Sequence, residues 1–136
     1  MLDNKIEKDF FGWTKLKSRI HYFNDEDRVY FKTREIWWAS LGINIGKEQD
    51  GKNKRFERPV LILRKVNRYT LIVVPLSSKI KDETHRYKII FNSQSRSVLI
   101  FQVRLISSKR LNRKIGSLDS STFQAVKSKI ISALFI

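Results

Sequence analysis

Cysteine is absent from all 136 residues. That excludes disulfides, Cys-ligated zinc and thiol catalysis, and it fits a reducing, cytoplasmic setting. Histidine occurs only twice, at His21 and His85, without the spacing that gathers ligands around a metal, so no metal or cofactor is expected. No stretch approaches the roughly 20 uninterrupted apolar residues of a membrane span. The opening segment MLDNKIEKDFF alternates charge where a secretory signal would have an apolar centre. Internal repeats and low-complexity tracts are also missing.

Acidic residues are scarce. Thirteen Asp and Glu face 28 Lys and Arg, for a net charge of +15. The imbalance is local. Residues 1–33 are nearly neutral, at +1, and residues 34–136 carry +14. Such a field selects a polyanionic partner, either nucleic acid or a strongly acidic protein. The length bounds one domain with an appendage, and an apolar fraction of 41% with nine Phe is enough to build a core.

The charge boundary coincides with a change of hydrophobic period. Ile6, Phe10, Trp13, Leu16 and Ile20 recur at steps of three and four, which predicts a helix over 3–21 capped by Asp3 or Asn4. NDEDR at 24–28 reads as an acidic linker. The expected division is therefore a helical extension over 1–33 and a second unit over 34–136. From residue 34 onward short strands are expected at 35–42, 59–65, 69–76, 86–91 and 97–105, with a turn at Asn67-Arg68. Residues 107–116 read as a helical turn and a loop. A closing helix follows, capped by Asp119 or Ser120, with a stripe of Phe123, Val126, Ile130 and Leu134. Of the adjacent pair Trp37 and Trp38, one is expected in the core and the other free to stack on a base or a partner. Several short strands closed by one helix imply a small, bent antiparallel sheet or barrel with helices, an α+β fold.

One segment resists the bland reading of a solvated loop. GKEQDGKNKRFERP at 46–59 concentrates charge directly before the apolar run VLIL. In order, EIWWASLG, IGKEQDG, RPVLIL, VVPLSSK and SVLIFQVRLISSKRLNRKIGSLD resemble the MazF/PemK family of bacterial toxins over about residues 34–134. These are ribosome-independent endoribonucleases (mRNA interferases) of type II toxin–antitoxin systems. The resemblance implies an SH3-like barrel with a C-terminal helix, to which residues 1–33 are an addition. It also implies a cytoplasmic homodimer, a single-stranded RNA substrate and an acidic antitoxin partner.

Carried over position by position, the GxEQ motif falls on Gly46, Glu48 and Gln49. The arginine before proline falls on Arg58, the hydroxyl after the third strand on Ser77 beside Ser78, and the QIR-like motif on Gln102, Val103 and Arg104. Metal-free RNA cleavage uses the 2′-OH as an internal nucleophile. It needs proton removal, stabilisation of charge on phosphorus and an eased departure of the 5′-oxygen. The implied catalytic set is Arg58 for charge, Ser77 for a phosphate hydrogen bond and Glu48 as base. Glu48 is equally readable as a residue that orders its loop. Gln49, Arg55, Ser78, Lys79, His85, Arg86 and Arg104 are the candidate RNA contacts, with Arg104 also a candidate tie between the first loop and the fifth strand.

Two departures from the family pattern stand out. Six residues separate Gly51 from Arg58 where one or two are common, which leaves Arg55 able to compete for the role and implies a slack loop. Phe101 stands where an acidic residue commonly precedes the glutamine. Two other outcomes are consistent with the resemblance. One is a non-enzymatic toxin of the same fold that inhibits DNA gyrase, for which the apolar tail ALFI would serve. The other is an RNA-binding barrel without activity.

Overall fold

The run Val60-Leu61-Ile62 offers solvent no polar face, so a strand built from it must be covered on both sides. The computed structural model of the chain describes residues 7–24, 26, 29–81 and 84–136, and all three side chains are fully buried in it. They belong to β2 (Glu57–Lys65), which pairs antiparallel with β1 (Glu35–Ser40) and with β3 (Thr70–Ser77). The strands β4 (Arg86–Phe91), β5 (Gln94–Leu99), β6 (Arg104–Ser107) and β7 (Leu111–Ser117) complete a seven-stranded sheet. Its order is β4-β5-β3-β2-β1-β7, with β6 paired to β3 off this path.

β3 divides its second edge between two partners. Thr70–Val73 pair with β6, whereas Leu76 and Ser77 pair with β5. The sheet bends between them and stays open, giving the barrel-like architecture expected. Each face has a core. Leu61, Val74 and Leu76 join Ile36, Phe91, Val98 and Ile100 on one face, and the closing helix α2 (Ser120–Phe135) covers them with Phe123, Val126 and Ile130. Val60, Ile62, Leu71 and Val73 meet Phe31, Trp37 and Leu41 on the other. Leu134, expected in the α2 stripe, is exposed, and Ala133 packs against the core at that end of the helix instead. No described helix is long and apolar enough to cross a membrane.

Local chemistry sets the turns. Asn67 Oδ1 accepts from the backbone N–H groups of Tyr69 and Thr70, which closes the β2–β3 hairpin where Asn67-Arg68 predicts it. Asn92 and Ser93, at φ 51° and 61°, make the two-residue link between β4 and β5. β5 therefore begins at Gln94, earlier than expected. The single strand expected over 97–105 is two strands. A 3-10 turn at Ile100–Gln102 breaks it, because the chain must pass from the β5 side of the bend in β3 to the β6 side. The loop expected over 107–116 is also corrected. Only Ser108–Arg110 is a 3-10 turn, and Leu111–Ser117 form β7 on the free edge of β1.

Helix α1 (Phe10–His21) is shorter than the predicted 3–21 and is capped by Asp9, whose Oδ1 accepts from Gly12 N at 2.8 Å. Asp3, Asn4 and Ile6 lie outside the described residues, as do Asp25, Asp27 and Arg28 of the acidic linker. Trp13 is the one buried residue of α1, at 6% exposure; Leu16 and Ile20 are half-buried and Phe10 is open to solvent. The helix therefore docks through a narrower stripe than its period predicts.

Asp119 caps α2 as expected. Its Oδ2 accepts from Thr122 N at 2.9 Å and from the Ser121 hydroxyl at 2.7 Å. The bond from the Thr122 backbone, then that from Ser121, holds the carboxyl down at about 2, against an ordinary 3.8. A depressed carboxyl stabilises the fold above its unfolded pKa and loses that contribution as pH falls through the folded value. Urea titrations of wild type and Asp119→Asn should therefore differ at pH 6 and converge between about pH 4 and pH 2. A difference that persists unchanged at pH 2 would exclude the charged cap as its source.

Candidate active site

Arg58 is the second residue of β2, not part of the preceding loop. The register that sets Val60 against Pro75, continued two residues, carries Arg58 to Ser77 at the end of β3. Its guanidinium is half-buried and held by the backbone. Nε donates to Asp50 O at 3.0 Å, and Nη1 donates to Leu76 O at 3.2 Å. Both bonds leave Nη2 unspent, and a guanidinium held at two points has lost the rotamer freedom that a surface arginine keeps. Burial, and then the nearby Arg86, lower its pKa, while Asp50 opposes the shift.

Arg58, Ser77 and Ser78 line one cleft of about 430 Å³. Ser77 is buried at 8% exposure, and its Oγ accepts from Lys79 N at 3.2 Å, leaving the hydroxyl proton free to be donated. Trp38 lines the same cleft, whereas Trp37 lies in the core, which resolves the tryptophan pair. The Arg113 guanidinium lies 4.9 Å from the Trp38 ring centroid.

The slack expected of the long loop is absent. Lys52 and Glu57 exchange both backbone hydrogen bonds at 2.9 Å, so the residues between Gly51 and Arg58 fold back on themselves as a small hairpin. Asn53 and Phe56, at φ 64° and 49°, supply its left-handed corners. This turns Arg55 away from Arg58, into a separate cleft beside Leu16, Arg19 and Ile20 of α1.

The other candidates form an adjoining surface. Gln49, His85 and Arg86 line one groove with Lys47, Lys81 and Phe101. Glu48, Gln49 and Arg104 line the next. Glu48 is not in the Arg58 cleft; its Oε1 accepts from Ile45 N at 3.0 Å within its own loop. Gln102, rather than Arg104, makes the tie between loop and sheet. Its Oε1 accepts from Gln49 N at 3.1 Å, and its Nε2 donates to Lys47 O at 3.1 Å. Lys79 is exposed, and its backbone carbonyl accepts from Arg86 Nη1 and Ser97 Oγ. Phe101 packs edge-on against His85, with ring centroids 5.4 Å apart.

Sequence reasoning missed part of the cleft. Lys52, Glu57, Asn92, Gln94 and Arg96 line it with Arg58. Glu57 is a buried carboxylate whose oxygens are taken by Asn53, Asn112 and Arg113. Its place beside Arg58 in the chain was the available signal. For Asn92 and Gln94 the signal was the hairpin that aims them. Among the described residues no three His, Asp or Glu side chains converge as a metal site would require.

The comparisons with known proteins agree with this architecture. Comparison with curated proteins returns no match. Among solved structures, MazF from Deinococcus radiodurans superposes with a TM-score of 0.65 at 20% identity, over 79% of this chain and 99% of that one. The Mycobacterium tuberculosis toxin MazF-mt6 superposes with a TM-score of 0.54 at 26% identity, over 74% and 95%. An endoribonuclease from a mycobacterial species, solved with its cognate antitoxin, gives 0.59 at 14% identity, over 77% and 95%. A sequence profile matches residues 32–134, and by that match the chain belongs to the PemK-like, MazF-like toxins of type II toxin–antitoxin systems.

Proposed function

We propose that the chain is a metal-independent endoribonuclease toxin that cleaves single-stranded RNA at preferred sequences. In this reading residues 34–136 form a cytoplasmic, homodimeric catalytic unit, and an antitoxin silences it by laying an acidic segment over the same basic surface. The observation that carries the reading is Arg58, held by two backbone carbonyls in a cleft shared with Ser77.

The chemistry follows from that arrangement. The 2′-oxygen attacks phosphorus, the 2′-O–P bond forms and the P–O5′ bond breaks. The 2′-OH proton leaves to a base, and the 5′-oxygen takes up a proton. Arg58 supplies positive charge to the non-bridging oxygens, and its lowered pKa brings proton donation to the leaving oxygen closer to reach. Ser77 donates to a phosphate oxygen. Glu48 holds its own loop in the free chain, and its carboxylate would act as base only after leaving Ile45 N. Trp38 offers a partly exposed ring for base stacking. Lys47, Lys81 and Arg86 extend the positive surface along the adjoining groove, with His85 beside them, and Ser78 lines the Arg58 cleft next to the exposed Lys79.

Incubation with mixed single-stranded RNA in EDTA tests the reading. Discrete cuts that leave 2′,3′-cyclic phosphate and 5′-hydroxyl ends are expected, as is full resistance of a strand with 2′-deoxyribose at the cut site. RNA binding should weaken steeply with salt, as displaced counterions require. Binding without cutting would establish an inactive RNA-binding barrel, and gyrase inhibition without cutting would establish the inhibitor.

A further inference from the structure

Residues 7–23 lie outside the span matched by the family profile, yet they grip the loop that leads to Arg58. The loop has a neck, where Gly42 N donates to Phe56 O at 3.0 Å and Gly51 N donates to Gly42 O at 2.9 Å. Trp13 lies over this neck. Its ring is 5.8 Å from that of Phe56, and it sits so close to Gly42 that a Cβ there would overlap the indole. The Arg110 guanidinium also packs against the indole, 5.5 Å from its centroid.

The arm of the loop is held by a single lysine. Lys8 Nζ donates to Asn44 O at 2.6 Å and Gly46 O at 3.1 Å, and it pairs with Asp50 Oδ2 at 3.0 Å. Two of the three ammonium donors thus end on loop carbonyls, and the charge faces a loop carboxylate. The other carboxylate oxygen of Asp50 accepts from Asn44 N at 2.6 Å, so Asp50 is fixed from both sides. The backbone carbonyl of that same residue receives Arg58 Nε.

We infer that Lys8 is a positioning residue for Arg58, and that the N-terminal segment is a clamp through which it acts on the Asp50 carbonyl. An exposed ion pair contributes little on its own. Here the ammonium joins two carbonyls and a carboxylate that are separated along the loop, and so it sets the shape of that loop. Misplacement of a reacting group by about 1 Å costs on the order of 100-fold in rate, so modest slack at Asp50 is enough to be felt. The kinetic part of the inference rests on the ribonuclease reading; the structural part does not.

The test compares full-length wild type, Lys8→Met and Lys8→Arg, with Lys17→Met on the exposed face of α1 as control. The first readout is hydrogen exchange at the Arg58 Nε–H, followed by nitrogen–proton NMR. The second is kcat and KM for RNA cleavage per folded molecule. Lys8→Met should speed Arg58 Nε–H exchange by about tenfold or more. It should lower kcat by about tenfold or more and leave KM within about twofold. Lys8→Arg should restore most of both, and Lys17→Met should change neither. Wild-type exchange in Lys8→Met overturns the inference, whatever the melting temperature does. Faster exchange with unchanged kcat overturns it as well. If the wild-type chain cuts no RNA, the proposed activity falls, and the exchange measurement alone decides the clamp.

Discussion

Arg58→Ala should lower RNA cleavage by roughly 100–1000-fold, the usual cost of losing one preorganised donor to a developing negative charge. The loss should fall on kcat more than on KM, because the adjoining groove keeps its cations and still holds RNA. The fold should survive. Arg58 is half-buried at a strand end, and the strand pairing around it is made by backbone groups that the substitution keeps. Lysine should not rescue the variant, because one ammonium cannot copy a fork that bonds Asp50 O and Leu76 O and still presents Nη2. Ser77→Ala should cost less, about 10–100-fold, as befits one hydrogen bond to a charged oxygen. Single-turnover cleavage of a labelled oligonucleotide measures all three. If Arg58→Ala keeps more than a tenth of the rate, the assignment is wrong. If Arg55→Ala is the dead variant instead, the small hairpin before β2 presents the wrong arginine.

The second large effect is on stability. Trp13→Ala should release α1 from the rest of the chain. Truncation of a buried aromatic costs about 3–5 kcal/mol, and α1 has no second buried residue to hold it in place. A lone helix of 12 residues is marginal in water, so an undocked α1 should melt rather than float free as a helix. The expected signature is loss of amide protection over Phe10–His21, with β2 and β3 still protected. Gly42→Ala should reproduce it from the opposite side, since its methyl group would occupy the indole site and Gly42 sits at φ +83°. Should Trp13→Ala leave α1 amides protected, the helix is held by something other than its tryptophan.

The strands that read most clearly from sequence were those with no polar face. Val60 to Ile62 and Val73 to Leu76 are buried from both sides, so their apolar runs have no competing explanation. β7 was hidden by its own exposure, since Arg113 and Lys114 lie exposed on an edge strand and make it resemble a charged loop. The break at Ile100–Gln102 was hidden for the opposite reason, because apolar residues continue through it while the hydrogen-bond partner changes. At the site, Arg58 and Ser77, which the resemblance singles out, share one cleft. Glu48 lines a separate cleft, because linear closeness to Arg58 does not survive the loop between them. Lys8 and Asp50 were illegible. Their contact spans most of the first third of the chain, and no periodicity relates them.

The paired Lys52 and Glu57 have an evolutionary corollary. Two backbone groups that bond to each other make everything between them a detour, entered and left at one point. Gly51 stays next to the start of β2 however long that detour becomes. Chain length here is thus a neutral variable, since loop-closure entropy rises only slowly with each added residue. Lineages can lengthen or trim the tip at Lys54 and Arg55 without moving the arginine that follows. The same property makes the tip a natural place to graft a foreign peptide, such as a fluorophore tag that reports on the cleft from its rim.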